Sequence, residues 1–314
     1  MQNMRLLEDI FVRDPYFVRA EKGWLLFLSH DKAADDSYEG VDVCFSADGV
    51  LWSEPQPALR QPVQNRTYWA TEIHPWQGAW YMFVTLTGVM PGCGIDTPLG
   101  HEMIRGTWIF RSEKPEGPYK AWTEGPIQPM EHLTLDGTLY VSPEGKPYMV
   151  YCHEWLQVKD GTVEAVEMSA DLKQAVSEPF VLFNASDAPW STGMYVAEAL
   201  GIRFDCTCRV TDGCFFFRDK SGALCMLWST GNGRYETGIA RSPSGRLEGP
   251  WEHEVEPIFT ADGGHPMLVR SDNGEWLMAL HAPNGGGLER AYLIPVTITE
   301  HGLTADLTRE GSLR

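Results

Sequence analysis

Short apolar runs alternate with turn residues along the whole chain, and long stretches at helical spacing are scarce. Five runs stand out: WLLFLSH (24–30), AWYMFVTL (79–86), KPYMVYC (146–152), ALCMLWS (223–229) and EWLMALH (275–281). Turn residues flank them, which predicts strands. A second apolar strand precedes each run and opens on polar residues: RDPYFV (13–18), WATEIHPW (69–76), LDGTLYV (135–141), TDGCFFFR (211–218) and GGHPMLVR (263–270). Four units continue into a strand with a Ser, a turn, and often a Pro before an aromatic, as in IARSPSGRLEGPWEH (239–253). The fifth ends in RAYLIPVTITEHGL (290–303).

The unit is three strands, a turn and a fourth strand, recurring about every 50 to 75 residues. Four antiparallel strands per repeat without a helix predict propeller blades. Five blades fill residues 1–314 as one all-β domain and leave nothing for a second. The alternative is a pair of β-sandwiches whose likeness between units is accidental. A ring also has to close. We expect one chain terminus to pair into the blade formed by the other, because an open ring leaves a sheet edge exposed.

Composition narrows the function. The chain is 43% hydrophobic and 22% charged, which excludes disorder, and its formal charge is −18. That charge argues against nucleic acid, anionic membranes and polyanionic substrates, and leaves neutral substrates unpenalised. No apolar run is long enough to span a bilayer, and the start has no secretory pattern, so the chain reads as cytoplasmic. Seven cysteines cannot all pair internally. Cys206, Cys208, Cys214 and Cys225 crowd together but lack a zinc knuckle, so reduced, buried thiols are expected.

In a propeller the first strand of each blade lines the central channel. The openers bring Asp14, Trp69 with Glu72, Asp136, Thr211 with Asp212, and His265 to the axis. Buried carboxylates are costly unless paired, hydrogen-bonded or protonated, so several at one axis suggest use. The plainer reading is that Asp14 and Asp136 form turns, since Asp-Pro and Asp-Gly are ordinary turn pairs. Converging carboxyls among Trp and Tyr suit glycoside hydrolysis: one takes a proton from water, another gives one to the leaving oxygen.

These motifs, RDPYF, WATEIHPWQGAWYMF, LDGTLYVSPEGKPYMVYCHEW and GGHPMLV, resemble glycoside hydrolase family 43 over essentially the whole chain. The resemblance implies a five-bladed propeller and inverting arabinofuranosidase, xylosidase or arabinanase chemistry. It implies Asp14 as general base and Asp136 as the carboxylate that raises and orients the acid. Where many members carry Glu-Gly-Pro, this chain has Asp212-Gly213-Cys214. Asp212 is in register but one methylene short, so Glu198 and Glu154 are alternative acids. The resemblance also implies a structural calcium at the axis, with His265 as its ligand, and no cofactor for the chemistry.

Trp69, Glu72, His153, Glu154, Arg209 and His281 are candidates for holding an oligosaccharide. For Glu72 a salt bridge to Arg13 is the alternative, and for Arg209 a role in holding a carboxylate. The connections 87–106 and 187–210 are long enough to rim a pocket. The expectation is a glycosidase releasing a terminal pentose, arabinofuranose first and xylose second. The competing readings are a carbohydrate-binding propeller without catalysis, a relative acting on another sugar such as galactose, transfer to a second sugar, and a protein-interaction propeller.

Overall fold

A computed structural model describes residues 4–29, 40–60, 66–92, 94–97, 100–193, 208–231 and 234–314. Five antiparallel sheets of four or more strands follow one another along the chain, and a short two-stranded sheet pairs Arg5–Leu6 with Leu51–Trp52. Blade I is Arg13–Ala20, Gly23–Ser29, Gly40–Ser46 and Gln56–Arg60. Blade II is Arg66–Trp76, Ala79–Val89, Gly100–Ser112 and Lys120–Ala121, with Ile95–Thr97 paired beside the third strand. Blade III is Thr134–Val141, Pro147–His153, Thr162–Glu167 and Phe180–Asn184. Blade IV is Asp212–Arg218, Leu224–Gly231, Tyr235–Ser242 and Glu252–His253. Blade V is Gly264–Arg270, Trp276–Ala282, Arg290–Ile298 and Leu303–Ala305. The expected five-bladed propeller is the fold.

The second strands explain the continuous apolar runs. A blade is covered by a neighbour on each face, so both sides of its middle strands are buried, and alternation disappears. Every residue of Pro147–His153 is buried. Trp24, Trp52, Trp228, Phe27, Phe83 and Phe110 fill the spaces between sheets with almost no exposure. Cys44, Cys152, Cys214 and Cys225 are free and buried, as expected of reduced thiols, and Cys208 is buried too.

Each first strand carries an irregularity at the same place. Its register shifts between Arg13 and Tyr16, Trp69 and Glu72, Leu135 and Thr138, Asp212 and Phe215, and Gly264 and Met267. Inside each shift one residue takes positive φ: Asp14 (50°), Ala70 (48°), Asp136 (55°), Gly213 (46°) and His265 (53°). A β-bulge re-aims side chains, and Asp, Gly and His tolerate this conformation better than most residues. The turn-forming and axial readings of Asp14 and Asp136 are thus the same fact.

The bulges also bind the blades together. The residue paired with each pre-bulge position is Ser29, Thr85, Cys152, Ser229 or His281. Thr85 Oγ1 accepts the Asp136 N–H at 2.9 Å, Ser229 Oγ accepts the His265 N–H at 3.0 Å, and His281 Nδ1 accepts the Asp14 N–H at 3.2 Å. A side chain of one blade therefore latches the bulge of the next, and His281 carries that latch from blade V to blade I.

Ring closure differs from expectation. Blades I and V are each built from one continuous segment, with no exchanged strand. Both flanking segments instead lie across the seam. Val12 N–H donates to Glu289 O at 3.2 Å, and Arg290 Nε donates to Glu8 O at 3.0 Å. Asp272 N–H donates to Leu313 O at 2.8 Å, and Leu313 is wholly buried in the core shared with Trp24 and Trp52. These bonds and this burial seal the seam without strand exchange.

Asp219 ties the first hairpin of blade IV to blade V. Its carboxylate accepts from Ser221 N–H (2.9 Å), Ala223 N–H (3.0 Å), Arg241 Nε (2.7 Å) and, more weakly, Gly302 N–H (3.4 Å). Burial raises its pKa, but Ser221 and Arg241 outweigh that and hold it at about 2. A depressed folded pKa stabilises the fold above the ordinary carboxylate range and loses that effect as pH falls toward 2. Asp219→Asn is expected to cost about 2–3 kcal/mol at pH 7. Urea unfolding should show that difference shrinking between pH 4 and pH 2.

Candidate active site

The irregular first strands of four blades deliver their functional groups to one point. His265 Nδ1 lies 3.5 Å from Asp14 Oδ1, 3.6 Å from Asp136 Oδ2 and 3.4 Å from Asp212 Oδ1. Asp14, Asp136 and His265 are buried, while the Asp212 side chain retains 21% exposure. Asp212 is thus the carboxyl most open to an incoming molecule. Asp14 and Asp212 oxygens share one nitrogen as near neighbour, so these two can stand no more than about 7 Å apart. That bound touches the lower edge of the spacing of roughly 6.5–9.5 Å used to admit a water between acid and base.

The shorter Asp212 reaches this cluster because its strand sits close to the axis. A Cβ on Gly213 would stand 2.9 Å from His265 Cα and Cγ, at φ +46°. Only glycine permits that approach here. Gly213 N–H also donates to Asp136 Oδ2 at 2.9 Å. Of the alternative acids, Glu154 is salt-bridged to Arg105, and Glu198 lies outside the described residues.

The charges divide into distinct states. Burial disfavours ionised Asp14, but His265 and Arg13 outweigh it and hold its pKa at about 2. Asp14 is therefore a carboxylate, ready to accept a proton. Burial and the neighbouring Asp212 push Asp136 well above the ordinary range. Asp212 is held low, against its own burial, by the Asp136 hydrogen bond and by His265. One proton thus rests between Asp136 and Asp212, on the Asp136 side. Burial opposes a charged His265, yet Asp14 and Asp212 prevail and raise it to about 9. Tyr235 stacks on His281 with ring centroids 5.5 Å apart.

Blade III breaks the latch pattern. Its latch position is Cys152, a poor acceptor, and its Sγ lies 3.8 Å from Cys214 Sγ instead. The Gly213 N–H that a hydroxyl would have taken goes to Asp136, which draws this carboxyl toward blade IV. Cys152→Ser is expected to compete for that N–H and loosen the Asp136–Asp212 pair. Activity should fall about tenfold or more, with Cys152→Ala far less affected, and kcat/KM of the two variants checks this.

Several predicted residues have other duties. Glu72 Oε2 accepts from Thr138 Oγ1 at 2.7 Å and contacts His74 Nε2 at 2.9 Å, linking blades II and III rather than meeting Arg13. Both His153 nitrogens are engaged, with Glu164 at 2.9 Å and Gln157 at 2.8 Å. Arg209 Nε donates to Ser191 O at 3.0 Å, and its backbone bonds to Lys159 and Gly161 anchor the segment before blade IV. His281 is fully buried and positions Asp14. These are structural bonds, formed because each side chain's nearest complement is protein. Trp69 stands partly exposed, with one face covered by Arg105 at 4.6 Å. Arg105, Tyr235 and the Arg13–Glu289 contact (3.4 Å) belong to the site and were not singled out from sequence.

Two groups of side chains could be considered for a metal. Around His265 the donors are one imidazole and three carboxylates, which carry six oxygens between them, and calcium counts water as well among its six to eight ligands. Those oxygens are also the ones the chemistry needs. His265 and these carboxylates are the residues that would hold a calcium ion at the axis. In the second group, His132 stacks on His153 with ring centroids 4.5 Å apart and planes 21° from parallel. One ion cannot lie in both ring planes.

A five-bladed propeller with an ionised carboxylate facing a proton-sharing carboxyl pair is the architecture of a glycosidase. The family model for Glycosyl hydrolases family 43 matches residues 8–303, and the chain belongs to that family. Among solved structures, an endo-arabinase from Bacteroides thetaiotaomicron VPI-5482 is 29% identical with a TM-score of 0.80, covering 95% of this chain and 98% of that one. A thermostable family-43 glycoside hydrolase is 19% identical with a TM-score of 0.73, over 97% and 96% of the two chains. An alpha-L-arabinofuranosidase from Lactobacillus brevis is 15% identical with a TM-score of 0.69, over 96% and 95%. No curated protein matches the chain.

Proposed function

We propose that this glycosidase cleaves α-L-arabinofuranosyl linkages with inversion, releasing terminal arabinofuranose from plant-type oligosaccharides, with β-xylosides as the secondary substrate. The observation that carries the mechanism is the convergence of three carboxyl groups on His265 Nδ1 within 3.6 Å, with Asp14 held below the ordinary carboxylate range and Asp136 pushed above it. Asp14 takes a proton from a water whose oxygen bonds to the anomeric carbon. The bond from that carbon to the leaving oxygen breaks, and the leaving oxygen takes the proton of the carboxyl pair through Asp212, its more open member. Asp14 then releases its proton to solvent, and a proton from solvent returns the Asp136–Asp212 pair to its starting state. The His265 charge keeps Asp14 from holding the proton too early.

The sugar assignment draws on the endo-arabinase relative at 29% identity and on the fit of a neutral substrate to a chain of charge −18. Hydrolysis of a panel of 4-nitrophenyl pentosides and hexosides, with linear arabinan beside it, tests it. The α-L-arabinofuranoside should turn over fastest, with the β-xyloside behind it. A preference for a galactoside, or cleavage of arabinan alone from within, would overturn the terminal-pentose reading. Soaked sugar in the channel with no hydrolysis of any substrate would establish the binding propeller instead.

A further inference from the structure

Beside the carboxyl pair stands a second buried group that the mechanism does not use. Arg105, on the third strand of blade II, donates from Nη1 to Glu154 Oε1 at 2.6 Å and from Nε to Thr87 Oγ1 at 3.0 Å. Its guanidinium lies over the Trp69 ring at 4.6 Å. Arg105 and Glu154 are 8% and 5% exposed. Glu154 is fixed from behind as well: its N–H donates to Leu133 O at 2.8 Å, and its own carbonyl starts the short helix Trp155–Val158. Its other oxygen, Oε2, is buried and has no well-formed hydrogen bond from a described residue, the Leu156 N–H being its nearest backbone donor. Arg105 Nη2 makes no hydrogen bond to a described residue.

An ionised oxygen left without a well-formed hydrogen bond in a buried site is expensive, because it has given up water without full replacement. Here the rest of the carboxylate is held in one orientation, so the free oxygen is aimed rather than adrift. The location is adjacent to the chemistry: Trp69, which Arg105 covers, holds in blade II the pre-bulge position that Asp212 holds in blade IV. A free acceptor (Oε2) beside a free donor (Nη2) matches a vicinal diol, in which one hydroxyl donates and its neighbour accepts. A planar guanidinium fork supplies that geometry where a lysine would supply only a point charge.

We infer that Arg105 and Glu154 form a preorganised clamp for two adjacent hydroxyls of the sugar unit next to Asp212, with Trp69 and Thr87 holding the guanidinium in plane. Glu154 is the binding residue, and Arg105 both binds and positions it. Trp69 thus serves the sugar through Arg105 on its covered face. The inference rests on the glycosidase reading for the identity of its neighbour, and it makes the selected substrate one with a free vicinal diol at that unit.

The test uses the full chain, with Glu154→Gln and Arg105→Lys beside wild type and circular dichroism to confirm the fold. Substrates are 4-nitrophenyl α-L-arabinofuranoside, with a good leaving group, and arabinotriose, with a poor one. KM is expected to rise about 10- to 100-fold in each variant, equally on both substrates, with kcat within a few-fold of wild type. Unchanged KM in the folded variants would make the pair purely structural and overturn the inference. A kcat loss confined to arabinotriose would make Glu154 the general acid, and also overturn it. Should wild type cleave neither substrate, the proposed function has failed on arabinosides, and calorimetric titration with L-arabinose, D-xylose and D-galactose decides the clamp. Weaker binding in Glu154→Gln than in wild type then supports it. Equal binding, or none by wild type, overturns it. If Glu154→Gln does not fold, Arg105→Lys is judged by the same criteria.

Discussion

Asp14→Asn is expected to lower kcat by about 1,000-fold on every substrate, good leaving group or poor. Removing the acceptor of the water's proton affects the attacking half of the reaction, which no leaving group can relieve. The substitution keeps the fold. Asn tolerates positive φ as Asp does, so the bulge at 50° survives. The Asp14 N–H to His281 latch is backbone-made and survives too. A folded Asp14→Asn protein with ordinary turnover would remove Asp14 from the mechanism. Thermal melting beside initial rates separates lost chemistry from lost structure.

Asp212→Asn should behave differently. The variant retains the shape of the cluster but cannot carry the shared proton to a leaving oxygen. Cleavage of arabinan oligosaccharides should fall about 100- to 10,000-fold, while 4-nitrophenyl substrates lose far less, because their leaving group departs without protonation. Equal losses on both substrate types would argue that Asp212 is not the donor. The pH profile carries the same signature. Asp14 is ionised above about pH 2, so the acid limb of wild type should lie low. The alkaline limb reports loss of the proton on the Asp136–Asp212 pair, and because Asp136 is raised it should lie well above the ordinary carboxylate range. Asp212→Asn should distort that limb for arabinan oligosaccharides.

The blades and the axial carboxylates were legible because they repeat. Polar openers recur ahead of apolar strands, and the bulge gives each opener one position that faces the axis. Asp14, Asp136 and His265 occupy that position, while Asp212 sits one residue earlier, where Arg13 and Trp69 stand in blades I and II. What sequence does not carry is the partner. His281, His153, Glu72 and Arg209 have the residue types of a binding site, yet protein atoms take both nitrogens of His153 and at least one donor or acceptor of each of the others. His281 belongs to a series with Thr85, Cys152 and Ser229, and only strand register shows that series. Arg105 sits mid-strand in a long blade II segment and becomes informative only when Glu154, 49 positions away, is seen against it. Ring closure was misjudged for a related reason: the seam is sealed by single hydrogen bonds and by Leu313, which leave no periodic trace.

The most direct test of the account is the configuration of the first sugar released, followed by proton NMR during wild-type cleavage of an α-L-arabinofuranosyl substrate. The account places water on Asp14 and the leaving group on Asp212, at opposite sides of the anomeric carbon. β-L-arabinofuranose should therefore appear first and mutarotate afterwards. If the α anomer appears first, the reaction passes through a covalent intermediate and Asp14 is not acting through water. If no arabinose is released at all, the carboxylate cluster around His265 is not the arabinose-releasing centre described here.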